Sequence, residues 1–209
     1  MHSRILSALL LCVLGSVAVH AQHQHGSHGA HGAHDDAVTA ASKMNIPDVE
    51  LLDQNGKKVH FYTDLVKGQT VVINFIFTTC TTICPPLGAT FARVQKELGD
   101  KAGRHVRFIS ISVDPATDTP ERLKAWGAKF HAGDGWTFIT GNKPQLDELL
   151  RALGASTARP EDHSPTILIG NDARGTWTRT YGLAKSSQLV QIINDVAAGK
   201  STTPVEVSK

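Results

Sequence analysis

Two cysteines four residues apart are the residues of this chain most able to do chemistry. Cys80 and Cys84 lie in segment 77–86, which reads FTTCTTICPP. An apolar run before this segment predicts a buried strand and the residues after it predict a helix, so the cysteines fall where α/β sheets place functional groups. A helix N-terminus carries partial positive charge, which favours ionised thiols. We therefore expect both thiols to be exposed and reactive.

The spacing of the two cysteines leaves two uses open. Residues four apart on a helical turn share a face, with Cβ atoms about 5 to 6 Å apart, so two sulfurs can hold one ion. They can also form a disulfide where the backbone is not helical, because a disulfide brings the Cβ atoms to about 4 Å. The structural alternatives are two simply buried cysteines, or a short-span disulfide that stabilises the fold little.

A third residue with metal-binding chemistry, His163, precedes a predicted strand in the polar segment 161–166 (EDHSPT). Two thiolates and an imidazole form a soft donor set that favours Cu(I) and accepts Cu(II) or zinc. Asp162 and Ser164 do not make a catalytic triad with this histidine, because adjacent residues of an extended chain point in different directions. Three other histidines have no neighbour at ligand spacing and are interpreted as surface residues: His60, His105 and His131.

Composition limits the classes of function. A chain of 209 residues, 41% hydrophobic and 19% charged, suits one globular domain with some unstructured tail. The 21 basic and 19 acidic residues give a net charge of +2, too small an excess for phosphate-backbone binding, so we expect no nucleic-acid partner. The sequence has no phosphate-binding glycine loop, no HExxH motif and no nucleophile elbow. A monomer is the expected state.

The first 21 residues predict a secretory signal peptide. A weakly basic start precedes an apolar run at 5–19, and Val19, His20 and Ala21 form a small-residue pattern typical of cleavage after Ala21. The alternative is an uncleaved membrane anchor through 5–19, although this run is short for a span. Cleavage also removes Cys12, which leaves Cys80 and Cys84 as the cysteines of an exported, periplasmic chain.

Residues 22–43 are rich in His, Gly, Ala and Ser and predict a disordered tether. Four histidines recur in it at every third position: His25, His28, His31 and His34. An unfolded chain with this spacing can bind copper, zinc or nickel through several imidazoles. A solvated linker without a metal is the alternative. Residues 201–209 predict a flexible C-terminal tail, so the folded domain is expected at 44–200.

From residue 46 onward, strand and helix patterns alternate, which predicts a mixed α/β sheet with helices on its faces. The pair Asn55–Gly56 between two short apolar runs, 49–52 and 57–62, indicates an N-terminal β-hairpin. Further strands are predicted at 70–77, 106–113, 136–140, 166–170 and 176–181, the last two as an antiparallel hairpin. Helices are predicted at 86–98, 120–130, 144–153 and 186–198.

Several of these segments together resemble the SCO/SenC family, copper-handling relatives of thioredoxin. The resemblance spans roughly 46–196. It is carried by FTTC with the following Cys84–Pro85, SVDP (112–115) with DTP (118–120), WTF (136–138) with Thr140–Gly141, and DHS (162–164). It implies a thioredoxin-like fold with a mixed central sheet, helices on both faces and an N-terminal β-hairpin. It also implies that Cys80, Cys84 and His163 bind one copper ion, as Cu(I), Cu(II) or both.

The resemblance implies a metallochaperone that delivers copper to the dinuclear copper site of cytochrome c oxidase. Its expected partners are the copper-receiving oxidase subunit and, in addition, a copper donor or a thioredoxin-like reductant. Asp114 and Asp118 carry over as residues near the site that form hydrogen bonds or cap helices. A thiol-disulfide oxidoreductase with Cys80 and Cys84 as catalytic residues stays open, and so does a metal-sequestering protein that uses the tether as well.

Two local features bear on this resemblance. Thr81 stands where the family commonly has proline after the first cysteine, so the rigidity of this loop and its redox potential are expected to differ. The segment 164–166 resembles the proline segment that faces the cysteines in redox thioredoxins, which is usually cis. We therefore predict a cis Ser164–Pro165 bond, at an intrinsic cost of about 0.5 to 1 kcal/mol.

Overall fold

The structure is a computed structural model that describes residues 44–181, 184–200 and 202. The predicted signal peptide (1–21), the predicted tether (22–43) and, apart from Thr202, the predicted tail (201–209) lie outside these residues. The described chain folds into a seven-stranded mixed sheet with four α-helices. None of the helices in this part of the chain has the length and apolar character that a membrane span needs.

All strands and helices agree with the predicted boundaries to within two residues. The strands are β1 (Glu50–Asp53), β2 (Lys58–His60), β3 (Thr70–Ile76), β4 (Val106–Ser112), β5 (Trp136–Thr140), β6 (Thr166–Asn171) and β7 (Thr176–Tyr181). The helices are α1 (Cys84–Leu98), α2 (Pro120–Ala128), α3 (Lys143–Ala152) and α4 (Ser186–Ala197). Three short turns were not predicted: a π-helical turn at Phe61–Val66 and 3-10 turns at Gly99–Lys101 and Pro160–Asp162.

The sheet has the order β2-β1-β5-β4-β3-β6-β7. Strands β3, β4 and β5 run parallel to one another, and the remaining pairs are antiparallel. The carboxyl ends of the three parallel strands therefore lie along one edge of the sheet, from which the chain enters α1, α2 and α3 in turn. The predicted mixed sheet, the N-terminal hairpin and the final antiparallel hairpin are confirmed.

Apolar side chains on the two sides of the sheet form two separate core layers. Val72 and Ile76 of β3 pack with residues of α1, α2 and α4, whereas Ile73 and Phe75 pack with residues of α3 and the π-helical turn. Neighbours in sequence fall in different layers because successive strand residues point to opposite faces. All seven residues of β3 are buried, so the strand that leads to Cys80 is held on both faces.

The predicted cis Ser164–Pro165 bond is wrong: this peptide bond is trans, as are all others in the described residues. The trans form is intrinsically preferred before proline by about 0.5 to 1 kcal/mol. His163 has an extended backbone, and the N–H of Thr166 donates to the carbonyl of Ser164 at 2.7 Å. The chain therefore enters β6 from the preceding turn with this bond trans.

Candidate metal centre

The three predicted site residues come from two chain segments at the carboxyl end of β3. Cys80 lies in the connection between β3 and α1, in a turn closed by a backbone hydrogen bond of 3.1 Å. Cys84 begins α1, and Pro85 and Pro86 follow in its first turn, where a missing N–H costs no helical hydrogen bond. His163 ends the 3-10 turn that precedes β6.

Antiparallel pairing explains why residues far apart in sequence meet here. Asn74, near the end of β3, pairs with Ile167, at the start of β6. Residues that follow β3 and residues that precede β6 therefore leave the sheet at the same place. The structure thus brings Cys80, Cys84 and His163 to one location, as the sequence analysis expected.

Cys84 and His163 are close enough to share an ion. The Sγ of Cys84 lies 3.9 Å from the Nε2 of His163. An ion about 2.3 Å from sulfur and about 2.0 Å from nitrogen, with an angle near 120°, would separate those atoms by about 3.7 Å. The donor types and their separation therefore fit one soft ion.

Cys80 completes this group with a sulfur that is held by the backbone. Its Sγ accepts the N–H of Cys84 at 3.4 Å. No three His, Cys, Asp or Glu side chains among the described residues are already arranged as a metal cluster. An ion bound by all three side chains therefore requires these side chains to move closer together.

His163 turns its Nε2 toward the Sγ of Cys84. Its Nδ1 lies 2.7 Å from the carbonyl oxygen of Pro160. Because a carbonyl only accepts hydrogen bonds, Nδ1 carries the proton and the Nε2 of the neutral ring carries the lone pair. Phe77 packs against the ring edge to face, with centroids 5.5 Å apart. Tautomer and ring orientation are therefore set before any ion binds.

All three side chains are buried, so the prediction of exposed thiols is wrong. Cys84 is fully buried in the core layer around α1, while Cys80 and His163 are 8% and 6% exposed. The thiol of Cys84 points inward because the first turn of α1 packs against the sheet. A pocket of about 310 Å³ is lined by Cys80 and His163 and not by Cys84. A ligand that enters this pocket meets Cys80 first.

The two thiols differ in acid strength. Burial acts to raise the pKa of Cys80, but hydrogen bonds from Cys84 and Thr82 outweigh it and lower this pKa below its usual value. Burial, together with the hydrogen bond that its thiol donates to Cys80, raises the pKa of Cys84 to about 12. The prediction that both thiols ionise easily is therefore wrong for Cys84, because desolvation exceeds the effect of the helix N-terminus.

A buried carboxylate stands behind the connection that carries Cys80. Asp118 is fully buried and accepts the backbone N–H of Thr78 at 2.9 Å and its hydroxyl at 2.5 Å. It also accepts the hydroxyl of Ser112 at 2.6 Å, which ties this connection to the end of β4. Of the two aspartates expected near the site, Asp118 makes these hydrogen bonds, and Asp114 lines a neighbouring cavity of about 650 Å³.

Three groups that build the site were not identified from the sequence. They are the ring of Phe77, the carbonyl of Pro160 and the hydroxyl of Thr78. Proline followed by two acidic residues at 160–162 is a turn signal that could have placed the second group. An aromatic ring and a hydroxyl have no sequence pattern that gives their contacts, so the other two groups required the structure.

Fold and site define a class: a mixed α/β domain with a dithiol and an imidazole at the carboxyl end of its buried strand β3. The profile of the SCO1/SenC family matches residues 39–198. A SCO1 protein homolog of Bacillus subtilis (strain 168) is 35% identical over 159 residues, which cover 71% of this chain and 79% of the relative. The chain therefore belongs to the SCO1/SenC family.

Solved structures of Sco proteins share the fold. BsSco, described as a member of the Sco family of cytochrome c oxidase assembly proteins with a disulfide switch, matches with a TM-score of 0.63 and 28% identity, over 75% of this chain and 95% of its own. Arabidopsis thaliana ScoI, solved with copper bound, matches with a TM-score of 0.60 and 21% identity, over 71% and 96%. The predicted family and thioredoxin-like fold are confirmed.

Proposed function

We propose that this protein binds one copper ion through Cys80, Cys84 and His163 and passes it to the copper-receiving subunit of cytochrome c oxidase, for the dinuclear copper site. Copper is the cargo in this proposal. The observation that carries it is the 3.9 Å approach of the Cys84 sulfur to the Nε2 of His163, whose Nδ1 lies against the carbonyl of Pro160. Copper in Arabidopsis ScoI, which has the same fold, supports the identity of the ion.

The donor set suits copper in both common oxidation states. Thiolates are soft ligands that favour Cu(I), and the imidazole nitrogen also accepts Cu(II). Cys80 borders the pocket and has the lowered pKa, so it meets an incoming ion first. Cys84 binds as a thiolate and therefore releases its proton when the ion enters.

Transfer to a partner also begins at Cys80. The partner's ligands approach through the pocket, where Cys80 and His163 are reachable and Cys84 is not. The ion therefore exchanges its bond to Cys80 before its bond to Cys84. In this order, at least one sulfur stays bound to the ion until the partner's ligands have bound it.

The cellular setting belongs to the same proposal. The predicted signal peptide places the protein outside the cytoplasm, in the periplasm, with residues 5–19 as a membrane anchor if the signal is not cleaved. An exported copper carrier needs a source of copper and a means to keep its thiols reduced. We therefore include a copper donor or a thioredoxin-like reductant among its partners.

A second function, thiol-disulfide exchange, is favoured by the unequal thiols. The Cys80 thiolate would attack a partner disulfide, form a mixed disulfide and release one partner thiolate. Cys84, after losing its proton, would then attack the Cys80 sulfur, form the Cys80–Cys84 disulfide and release the second partner thiol. The lowered pKa of Cys80 and the raised pKa of Cys84 fit these two roles.

The variant His163→Ala tests the proposal, with His105→Ala as the matched control at an exposed histidine elsewhere. We expect His163→Ala to lower the affinity for the copper ion that gives sulfur-to-copper charge transfer by at least about tenfold. Removal of a group that hydrogen-bonds to a metal ligand already lowers metal affinity by this factor, and removal of the ligand itself lowers it more. Competition with a chelator measures this affinity. Reduction of a small disulfide by the same variant should continue.

Two results decide between the functions. Unchanged copper affinity in His163→Ala contradicts the copper proposal, whereas His105→Ala must match the wild type in either case. Loss of disulfide exchange in His163→Ala would contradict the prediction that copper binding depends on His163 and disulfide exchange does not.

A further inference from the structure

Asp118 accepts hydrogen bonds from each of the polar groups around it. Its two oxygens accept hydrogen bonds from Thr78 and Ser112. The hydroxyl of Ser112 itself accepts the N–H of Asp114 at 3.0 Å, and the hydroxyl of Thr78 accepts the Nε–H of Arg122 at 3.3 Å. Both hydroxyl protons are therefore free to point at Asp118, and an acceptor-only carboxylate satisfies every donor.

No cationic side chain contacts this carboxylate directly in the described residues. Asp118 forms no ion pair within the part of the chain that the structure describes. Arg122 is exposed and donates to the Thr78 hydroxyl instead of to the carboxylate. Because Asp118 is fully buried, water and salt screen its charge little.

The field of Asp118 reaches the dithiol. Its hydrogen bonds to Thr78 hold the residue two positions before Cys80. Burial and the hydrogen bond to Cys80 raise the pKa of Cys84 most, and the charges of Cys80 and Asp118 raise this pKa further. A charge that opposes a thiolate on Cys84 also attracts a cation bound there.

We propose that Asp118 sets the balance between the two oxidation states of the bound ion, because its fixed negative charge stabilises Cu(II) relative to Cu(I). This inference rests on the proposed function. The Coulomb energy with a fixed charge is twice as large for a divalent ion as for a monovalent ion at the same place. Two thiolates alone favour Cu(I), so Asp118 counteracts the preference of the ligands and lets one site hold both states.

A merely structural role for Asp118 predicts a different result. If its hydrogen bonds only hold the connection to Cys80, their loss displaces a ligand and lowers the affinities for Cu(I) and Cu(II) to the same extent. If its charge also acts on the ion, removal of the charge weakens Cu(II) more. The ratio of the two affinities therefore separates the two roles, and the reduction potential of the bound copper measures that ratio.

The test compares Asp118→Asn, which keeps the shape and removes the charge, with Ser112→Ala, which removes one hydrogen bond and keeps the charge. The full chain is loaded with copper and titrated electrochemically. The titration follows the sulfur-to-Cu(II) charge-transfer band, which imidazoles elsewhere in the chain cannot produce. We expect Asp118→Asn to lower the Cu(II)-to-Cu(I) affinity ratio about tenfold, which raises the potential by about 59 mV. Ser112→Ala should leave the ratio within about twofold of the wild type.

An unchanged ratio in folded Asp118→Asn overturns the inference. If this variant does not fold, the surface variant Arg122→Gln decides instead. Removal of that positive charge beside Thr78 should raise the Cu(II)-to-Cu(I) ratio at low salt, less so at high salt, and an unchanged ratio overturns the inference. Absence of the charge-transfer band in the wild-type protein contradicts the proposed function itself, so the two failures are distinguishable.

Discussion

The two cysteines share one motif and differ in nearly every physical property. Cys80 borders a pocket, accepts hydrogen bonds and has a lowered pKa, whereas Cys84 is fully buried, donates a hydrogen bond and has a pKa of about 12. The difference arises from burial and from the direction of one hydrogen bond between them. It imposes an order on any reaction of the pair, in which Cys80 acts first.

We predict that iodoacetamide alkylates Cys80 well before Cys84 in the reduced, metal-free protein from about pH 7 to about pH 9. The thiolate is the reactive form, so the rate at Cys80 should reach half of its maximum at a pH below the usual thiol pKa. The rate at Cys84 should still rise toward its pKa of about 12. Peptide mapping by mass spectrometry over a pH series measures both rates.

The variant Cys84→Ala provides the control for this prediction. It removes a hydrogen bond that lowers the pKa of Cys80, so the pH profile of Cys80 alkylation should move to higher pH. Equal alkylation rates at the two cysteines of the wild-type protein would contradict the asymmetry.

The identity of the site residues was more predictable than their environment. The spacing of Cys80 and Cys84 at a strand end marked them as functional, but His163 was singled out by a resemblance as well as by its residue type. Burial of a cysteine next to polar threonines has no local signal, because it depends on which helix face packs against the sheet. The raised pKa of Cys84 was missed for the same reason.

Among the elements, two helices begin with the same kind of cap, and only one of them adjoins the site. Thr119 caps α2 by accepting the N–H of Arg122 at 3.3 Å. Asn142 caps α3 by accepting the N–H of Gln145 at 3.1 Å. The cap of α2, Thr119, directly follows Asp118 in sequence but contributes none of the hydrogen bonds of that buried carboxylate.

We predict that Thr119→Ala and Asn142→Ala each lower the free energy of unfolding by about 1 kcal/mol, the usual cost of a lost cap. Urea denaturation measures this loss. Copper affinity should stay within about twofold of the wild type in both variants, because the Asp118 network remains. A selective loss of copper in Thr119→Ala, with Asn142→Ala as its matched control, would show that the cap itself supports the site.

Element boundaries were predictable where the sequence contains residues that typically begin or end a helix or a strand. Buried strands such as β3 are apolar along most of their length, and proline, glycine or a capping residue stands near the helix ends. The π-helical turn Phe61–Val66 was missed because its first residues, aromatic and β-branched, are typical of strands and extended the predicted β2. Propensity is weak here, and burial of Phe61 and Leu65 against one face of the sheet decides the local structure.

For the molecule as a whole, the site forms because of the spatial order of the strands in the sheet, and this order differs from their order along the chain. The chain passes from β3 to β4 to β5 across the sheet and then returns, so that β6 pairs with β3 on the side away from β4. This return brings His163 to the cysteines. Local patterns predicted the strands, but they did not state which strand is the neighbour of β3.

The last prediction concerns the two metal-binding regions of the whole chain, the domain site and the histidines of the predicted tether. At saturation the full chain should bind more than one copper ion, and deletion of 22–43 should reduce the number to one. The remaining ion should keep its sulfur-to-copper charge transfer, because Cys80, Cys84 and His163 all follow the deleted segment. His163→Ala in the full chain should do the reverse, weakening this band while the tether still binds copper. Metal analysis and absorption spectroscopy measure both. Equal stoichiometry with and without 22–43 would contradict binding by the tether, and disappearance of the band on deletion would contradict an independent site in the domain.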